Sequence, residues 1–140
     1  MEAGRSPHLL DTSAIFCLKD NEAGAEEVSK VLEKASENHP VFVSFVSLTE
    51  YFYVLYQERN REEAYRAYLE LKMLPLQVIE SNEPLRLLAG EIKAVFSISF
   101  ADAWIAATAE HLGATLVHKD PEFEVLSKRI SLKTLPYKKS

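Results

Sequence analysis

Ser97-Ile98-Ser99-Phe100-Ala101-Asp102-Ala103-Trp104-Ile105-Ala106-Ala107-Thr108-Ala109 sets an acid inside the most alanine-rich apolar run of the chain. Ser99 has the spacing of a helix N-cap, which puts Asp102 at the third helical position, where a Ser-x-x-Asp pair satisfies free backbone N–H groups. Capping alone would account for the acid. Counted forward at helical spacing, however, Asp102 shares its face with Ile105, Ala106 and Ala109, so its carboxylate leaves the edge of a buried stripe. Alanines admit a neighbouring backbone at close range, and the stretch is expected to be a helix packed on a sheet with Asp102 at one rim.

Outward from that helix, short apolar runs alternate with longer helical patterns. Pro7-His8-Leu9-Leu10-Asp11 reads as a buried first strand that stops at Asp11 and turns through Thr12-Ser13 into a helix. Asp20 or Asn21 is placed to cap the next helix, which reaches about Glu37 and is broken by Asn38-His39-Pro40. Val41-Phe42-Val43-Ser44 is a second strand, rich in β-branched residues. Ser47-Leu48-Thr49-Glu50 repeats the capping-box spacing and opens a helix ending near Arg59-Asn60, and residues 61–71 form another. A third strand is expected at 76–79, and Pro84 suits the first turn of a helix running to Val95. Gly113 closes the Asp102 helix, Thr115-Leu116-Val117 makes a fourth strand, and a short helix after Pro121 leads to a last strand at Ile130 to Leu135. The alternation predicts an α/β fold, a mostly parallel sheet covered by helices on both faces, as one domain over 1–140 with its core at about 8–135.

Composition narrows the function classes. A chain of 140 residues, 47% hydrophobic, suits one core. No apolar run approaches the roughly 20 residues that span a bilayer, and Met1-Glu2-Ala3-Gly4-Arg5 is not followed by a signal-type stretch, so a cytoplasmic location is expected. The single Cys17, between Phe16 and Leu18, excludes an intrachain disulfide or thiolate cluster and reads as an inert core thiol. A net charge of −5 argues against binding nucleic acid by bulk electrostatics. It leaves a nuclease open, because carboxylates converging on cations present less negative field to a phosphodiester than their formal count.

Parallel α/β folds bind ligands beyond the carboxyl ends of their strands, and right-handed βα units bring Asp11, Glu50 and Asp120 to one such end. Asp102 joins them if its helix starts there. Taken singly, Asp11 and Asp120 read as turn or cap acids, and Glu50 and Asp102 as capping-box partners. Taken together they would be costly, since two carboxylates about 4 Å apart repel by roughly 4 kcal/mol at an effective dielectric near 20, and only protons or cations relieve the cluster. Hard oxygen donors without cysteine and with few histidines point to Mg²⁺ or Mn²⁺, and to phosphodiester hydrolysis. On this reading Asp11 and Asp102 bind the main ion directly, while Glu50 and Asp120 complete its water shell or hold a second ion.

His8-Leu9-Leu10-Asp11-Thr12-Ser13-Ala14, Ser47-Leu48-Thr49-Glu50, the Ser99–Ala109 run and Leu116-Val117-His118-Lys119-Asp120-Pro121-Glu122-Phe123 resemble, in order, the motifs of the PIN-domain family. The likeness is nearest to the VapC-like toxins of prokaryotic toxin–antitoxin pairs and extends over about 8–135. It implies a three-layer α/β/α sandwich and a metal-dependent endoribonuclease, often a homodimer, held inactive by a cognate VapB-like antitoxin. By motif position Asp11, Glu50, Asp102 and Asp120 correspond to the acidic metal-site residues, and Ser13 to a small hydroxyl residue that holds a carboxylate or a water. His118 departs from the pattern, because relatives often have threonine or serine there; it reads as a strand-end histidine, with a phosphate contact or a supporting place beside the metal as the other reading. Glu122 suits a first helical turn and is left outside the core set, although it stands where it could add a ligand.

The aromatics Tyr51, Phe52, Tyr53, Tyr56, Tyr65 and Tyr68 read as core or a protein interface, the antitoxin's groove by resemblance, ahead of a base-stacking surface. Arg59, Arg61, Arg86, Lys93 and Lys119 are candidate RNA phosphate contacts, Lys119 the best placed. A nucleotide-binding oxidoreductase lacks its G-x-G-x-x-G turn, an aspartyl-phosphate phosphatase would want an acid where Ser13 stands, and a phospho-receiver would want aspartate where Glu80 follows the third strand. A catalytically silent PIN-like RNA- or protein-binding module in an RNA-processing assembly is the competing expectation.

Overall fold

A computed structural model describes residues 7–138; residues 1–6 and the Lys139-Ser140 end lie outside the described residues. In chain order the elements are β1 (His8–Leu10), α1 (Thr12–Lys19), α2 (Ala25–Glu33), β2 (Val41–Ser44), α3 (Phe45–Glu58), α4 (Arg61–Lys72), β3 (Gln77–Ile79), α5 (Glu83–Val95), α6 (Phe100–Leu112), β4 (Thr115–His118), a 3₁₀ segment (Pro121–Leu126) and β5 (Leu132–Thr134). The strands lie in the order β3-β2-β1-β4-β5 and every pairing is parallel. Parallel strands require crossovers, and here the crossovers are the helices that cover both faces.

The alternation of side chains along each strand sorts the core into two layers. Leu10, Val41, Val43 and Val117 point to the side packed by α1 to α4, whereas Leu9, Phe42 and Leu116 point to the side packed by α5, α6 and the 3₁₀ segment. Helix α6 is the more deeply sunk, with residues 102–109 all buried. Its run of alanines lets it lie close to the sheet, to α5 and to α3, where Phe45 meets Trp104 edge-on at 5.3 Å. The order of strands reverses between β1 and β4, so the crevice that a parallel sheet opens at such a reversal lies beyond Leu10 and His118.

Three local readings of the sequence are corrected. Neither Asp20 nor Asn21 caps α2, whose N-cap is Gly24 at φ 106°, and the helix stops at Glu33 instead of near Glu37. Helix α3 opens directly on β2 with Ser44 as its cap, so Ser47 and Glu50 lie inside it and form no capping box. The other segments fall within a few residues of expectation, with Ser99 capping α6 and Gly113, at φ 61°, closing it.

Gly24 combines a left-handed backbone with crowding: a Cβ there would stand 3.1 Å from both Leu135 Cβ and Pro136 Cδ. Gly90, inside α5, has nothing within 4 Å. Gly24→Ala is therefore expected to lower the unfolding free energy by roughly 1–3 kcal/mol, and Gly90→Ala to raise it by about 0.5–1 kcal/mol. Urea denaturation of both variants measures this, and equal, small effects would contradict the packing of the C-terminal segment on Gly24.

Candidate metal centre

Asp11 is the first residue beyond β1 and the N-cap of α1. Its backbone N–H donates to Val117 O at 3.0 Å, tying the end of β1 to β4 across the strand-order reversal. Its Oδ2 accepts from Ser13 N at 3.0 Å and from the Ser13 hydroxyl, while Ser13 Oγ accepts from Lys119 N at 2.8 Å. Ser13 thus bridges the two strand ends and holds one carboxylate oxygen. The other oxygen, Asp11 Oδ1, is buried and has no hydrogen-bond partner among the described residues. Burial pushes the Asp11 carboxyl up to about 6, helped by the charges of Glu50 and Asp120 and opposed by the two Ser13 bonds.

Asp102 arrives from the other layer. Ser99 Oγ accepts the Asp102 N–H at 3.1 Å, as an N-cap should. The reciprocal half of a capping box is missing, because the Ser99 N–H donates to Glu122 Oε1. Glu122 therefore fills the capping role that the sequence offered to Asp102, and the Asp102 carboxylate is left facing other acids. Asp102, Asp120 and Glu122 each present a carboxylate oxygen, all within 4.8 Å of one another. Asp120 caps the 3₁₀ segment, its Oδ1 accepting Glu122 N at 2.9 Å, so one short loop delivers both acids. Burial first, then the charges of Asp11, Asp120 and Glu122, push the Asp102 carboxyl up to about 9.

Of the four acids singled out in the sequence, Asp102 and Asp120 meet, Asp11 is close enough to act electrostatically on Asp102, and Glu50 acts on Asp11 in the same way. Glu50, in the second turn of α3, accepts a 2.6 Å bond from Thr12 Oγ1, which also lies 2.9 Å from the buried Ser47 hydroxyl. Glu122 is the member that sequence reasoning left aside. Its signal was present in the spacing Asp-Pro-Glu, but proline followed by an acid suits any helix start. Lys119, the favoured phosphate contact, has its ammonium group already engaged: its Nζ lies 3.2 Å from Glu22 Oε1 and donates to Ala23 O at 2.8 Å. The His118 ring is fully buried, which removes it as a phosphate contact.

An unpartnered buried carboxylate oxygen beside a trio of converging acids is a set of hard oxygen donors, and such a set fits a divalent cation of the Mg²⁺ or Mn²⁺ type. A cleft of about 450 Å³ opens next to it, lined by Ser13, Phe16, Val54, Glu58, Asp120 and Tyr137 among others. On the neighbouring α3–α4 surface, Tyr51 packs inward on Phe16, while Phe52 gathers Tyr56, Tyr65 and Tyr68 edge-on at 4.9–6.1 Å, with Leu69 and Met73 exposed beside them. No helix among the described residues is long and apolar enough to cross a membrane.

The PIN domain family profile matches residues 8–129. Among solved structures the chain is similar to VapBC-1 from nontypeable Haemophilus influenzae, with 26% identity over 91% of this chain and 97% of that one, at a TM-score of 0.71. It is similar in fold to VapBC2 from Rickettsia felis bound to a promoter DNA fragment, with 17% identity, 93% and 99% coverage and a TM-score of 0.73. A third likeness is to Mycobacterium tuberculosis VapC20, a sarcin-ricin loop cleaving toxin, with 20% identity, 84% and 93% coverage and a TM-score of 0.68. No curated protein matches the sequence.

Both raised carboxyls bind protons in the folded chain at pH values where the unfolded chain has released them, so metal-free stability falls as pH rises. The Asp11 part of the loss runs from about pH 4 to 6, and the Asp102 part continues to about 9. In EDTA the melting temperature is expected to drop between pH 5 and 9, and Asp102→Asn to melt higher than the parent at pH 8 by roughly 3–8 °C, the equivalent of one or two kcal/mol. Scanning calorimetry across that range decides it; a parent that gains stability toward pH 9 would overturn the charge assignment.

Proposed function

The chain belongs to the PIN domain family, and from that premise we propose that it is a Mg²⁺- or Mn²⁺-dependent endoribonuclease, the toxin half of a type II toxin–antitoxin pair. The observation that carries the proposal is the buried, unpartnered Asp11 Oδ1 beside the convergent carboxylates of Asp102, Asp120 and Glu122. A folded chain of ordinary stability retains such a cluster at a cost, and a doubly charged ion offsets it.

Asp11, Asp102 and Asp120 would hold the ion, joined by Glu122, while Glu50 would act from the side of Asp11. Once bound, the ion would activate water for attack and neutralise charge developing on the phosphoryl group. The chain's own residues prepare the place. Ser13 fixes one oxygen of Asp11 and leaves the other free. Thr12 fixes Oε1 of Glu50 and leaves its second oxygen to accept a proton. Glu122 covers the Ser99 N–H, which keeps Asp102 out of the cap.

The substrate proposed is RNA, reaching the acids through the cleft beside Ser13 and Asp120. The exposed aromatic face of α3 and α4 would receive a VapB-like antitoxin, whose basic, aromatic tail suits a cleft that carries Asp20, Glu22, Glu58 and Asp120 against Lys119 and Lys138, both of which are paired with Glu22. Exposed Leu87, Val95 and Phe100 on α5 and α6 offer a separate apolar surface for a homodimer. Action in the cytoplasm follows from a role on cellular RNA.

Incubation with structured and single-stranded RNAs in Mg²⁺, Mn²⁺ or EDTA tests the reading. Cleavage is expected only with the metals, and Asp102→Asn should lower its rate at least about 100-fold. Glu122→Gln, which keeps an oxygen for the Ser99 N–H but removes the charge, is expected to weaken Mn²⁺ binding about tenfold or more. Cleavage that survives Asp102→Asn would point to a contaminant, and failure to cut any RNA would leave a binding module.

A further inference from the structure

His118 ends β4 and its ring is wholly buried, yet both ring nitrogens are engaged. Nδ1 accepts the backbone N–H of Asp120 at 3.1 Å, and Nε2 lies 3.0 Å from the hydroxyl of Thr134, its register partner on β5. An acceptor at Nδ1 requires the neutral ring with its proton on Nε2, and Nε2–H then donates to the Thr134 hydroxyl oxygen. The ring is wedged edge-on against Phe123 at 5.3 Å and beside Tyr137 at 6.3 Å, while His118 O accepts Leu135 N at 2.8 Å. These contacts hold both ring nitrogens and flank the ring with aromatic neighbours.

We propose that His118 is a positioning residue for the metal centre: anchored to β5 through Thr134, its Nδ1 sets where the loop bearing Asp120 and Glu122 leaves the sheet. The inference rests on the proposed role of those acids in holding the ion. Asp120 opens the 3₁₀ segment with an extended backbone, φ −122° and ψ 114°, and its N–H donates to the ring's Nδ1. Since Asp120 Oδ1 in turn accepts Glu122 N, and Glu122 accepts the Ser99 N–H, displacement of the Asp120 backbone passes to both acids and to the start of α6. A threonine or serine at this position would be too short to reach Thr134 and Asp120 together. This chain uses the longer ring to tie the fifth strand to the loop.

The test compares the parent, His118→Leu and His118→Asn by Mn²⁺ titration, with free Mn²⁺ followed by electron paramagnetic resonance and folding checked by circular dichroism. Leucine fills the space without an acceptor, and affinity is expected to fall about 10–100-fold. Asparagine places an oxygen where Nδ1 stood and should restore most of the loss. Leucine binding like the parent, or asparagine no better than leucine, would overturn the proposal. Should the leucine variant not fold, the parent alone decides: a scalar coupling between the Asp120 amide nitrogen and His118 Nδ1 is expected in nitrogen-labelled protein, and its absence refutes the bond. A parent that shows the coupling but binds no Mn²⁺ would sink the metal-centre reading, and the positioning role with it.

Discussion

A carboxylate placed out of water with half its hydrogen-bonding capacity unused is the constraint around which the molecule is arranged. Asp11 occupies the first position beyond the central strand, where the order of strands reverses and helices diverge to opposite faces. The neighbouring groups give it as little as the fold needs. The main chain is fixed by Val117, one oxygen is fixed by Ser13, and the second is buried without a hydrogen-bond partner among the described residues. A buried polar oxygen left in this state costs about 1–3 kcal/mol, more when charged, so the position is explained by what it can bind.

The surrounding acids extend the same logic. Helix and 3₁₀ starts carry free N–H groups that attract carboxylates, and an acid spent on a cap is less available to a cation. Here the caps are divided so that one acid is spared: Glu122 covers Ser99, Ser99 covers the backbone of Asp102, and the Asp102 carboxylate remains without a capping duty. Asp120 does both jobs, one oxygen capping Glu122 and its second oxygen uncommitted in the same cluster. Burial, and after it the charges of Asp11, Asp120 and Glu122, raises the proton affinity of the spared Asp102 carboxyl. Stability and cation binding are opposed at the same atoms.

Most of this architecture was legible before any coordinates, and the exceptions share a cause. The four principal strands announce themselves as short apolar runs, and the all-parallel sheet follows from their alternation with helices. Ser99 and Asp102 were readable because a cap signal coincided with a change from polar to apolar periodicity. Ser47 and Glu50 show the same spacing without that change; α3 had already begun at Phe45, and the pair lies on one face of an established helix. Gly24 was missed as the cap of α2 because its left-handed backbone is selected by Leu135 and Pro136, more than 100 positions away. Glu122 and Lys119 failed in the same way: one is drawn into the acids by Ser99, the other is held by Glu22. Local spacing encodes elements well, but the partner that claims a charged side chain is chosen by the folded sheet.

The engagement of Lys119 bears on how a negatively charged polymer approaches a chain of net charge −5. With its ammonium group between Glu22 and the Ala23 carbonyl, the basic residue nearest the acids in sequence contributes little field to the crevice. Arg59 faces Glu63 and Arg61 lies over the Tyr65 ring, so these cations of the adjacent surface are engaged along the helix hairpin instead. Positive potential at the site would then come chiefly from the ion itself, and a carboxylate cluster that repels a phosphodiester when empty would attract one when filled. On the proposed reading the acids would do more than hold a catalyst: they would make binding of the substrate conditional on the cation, and the aromatic face of α3 and α4 would be left to recognise a protein.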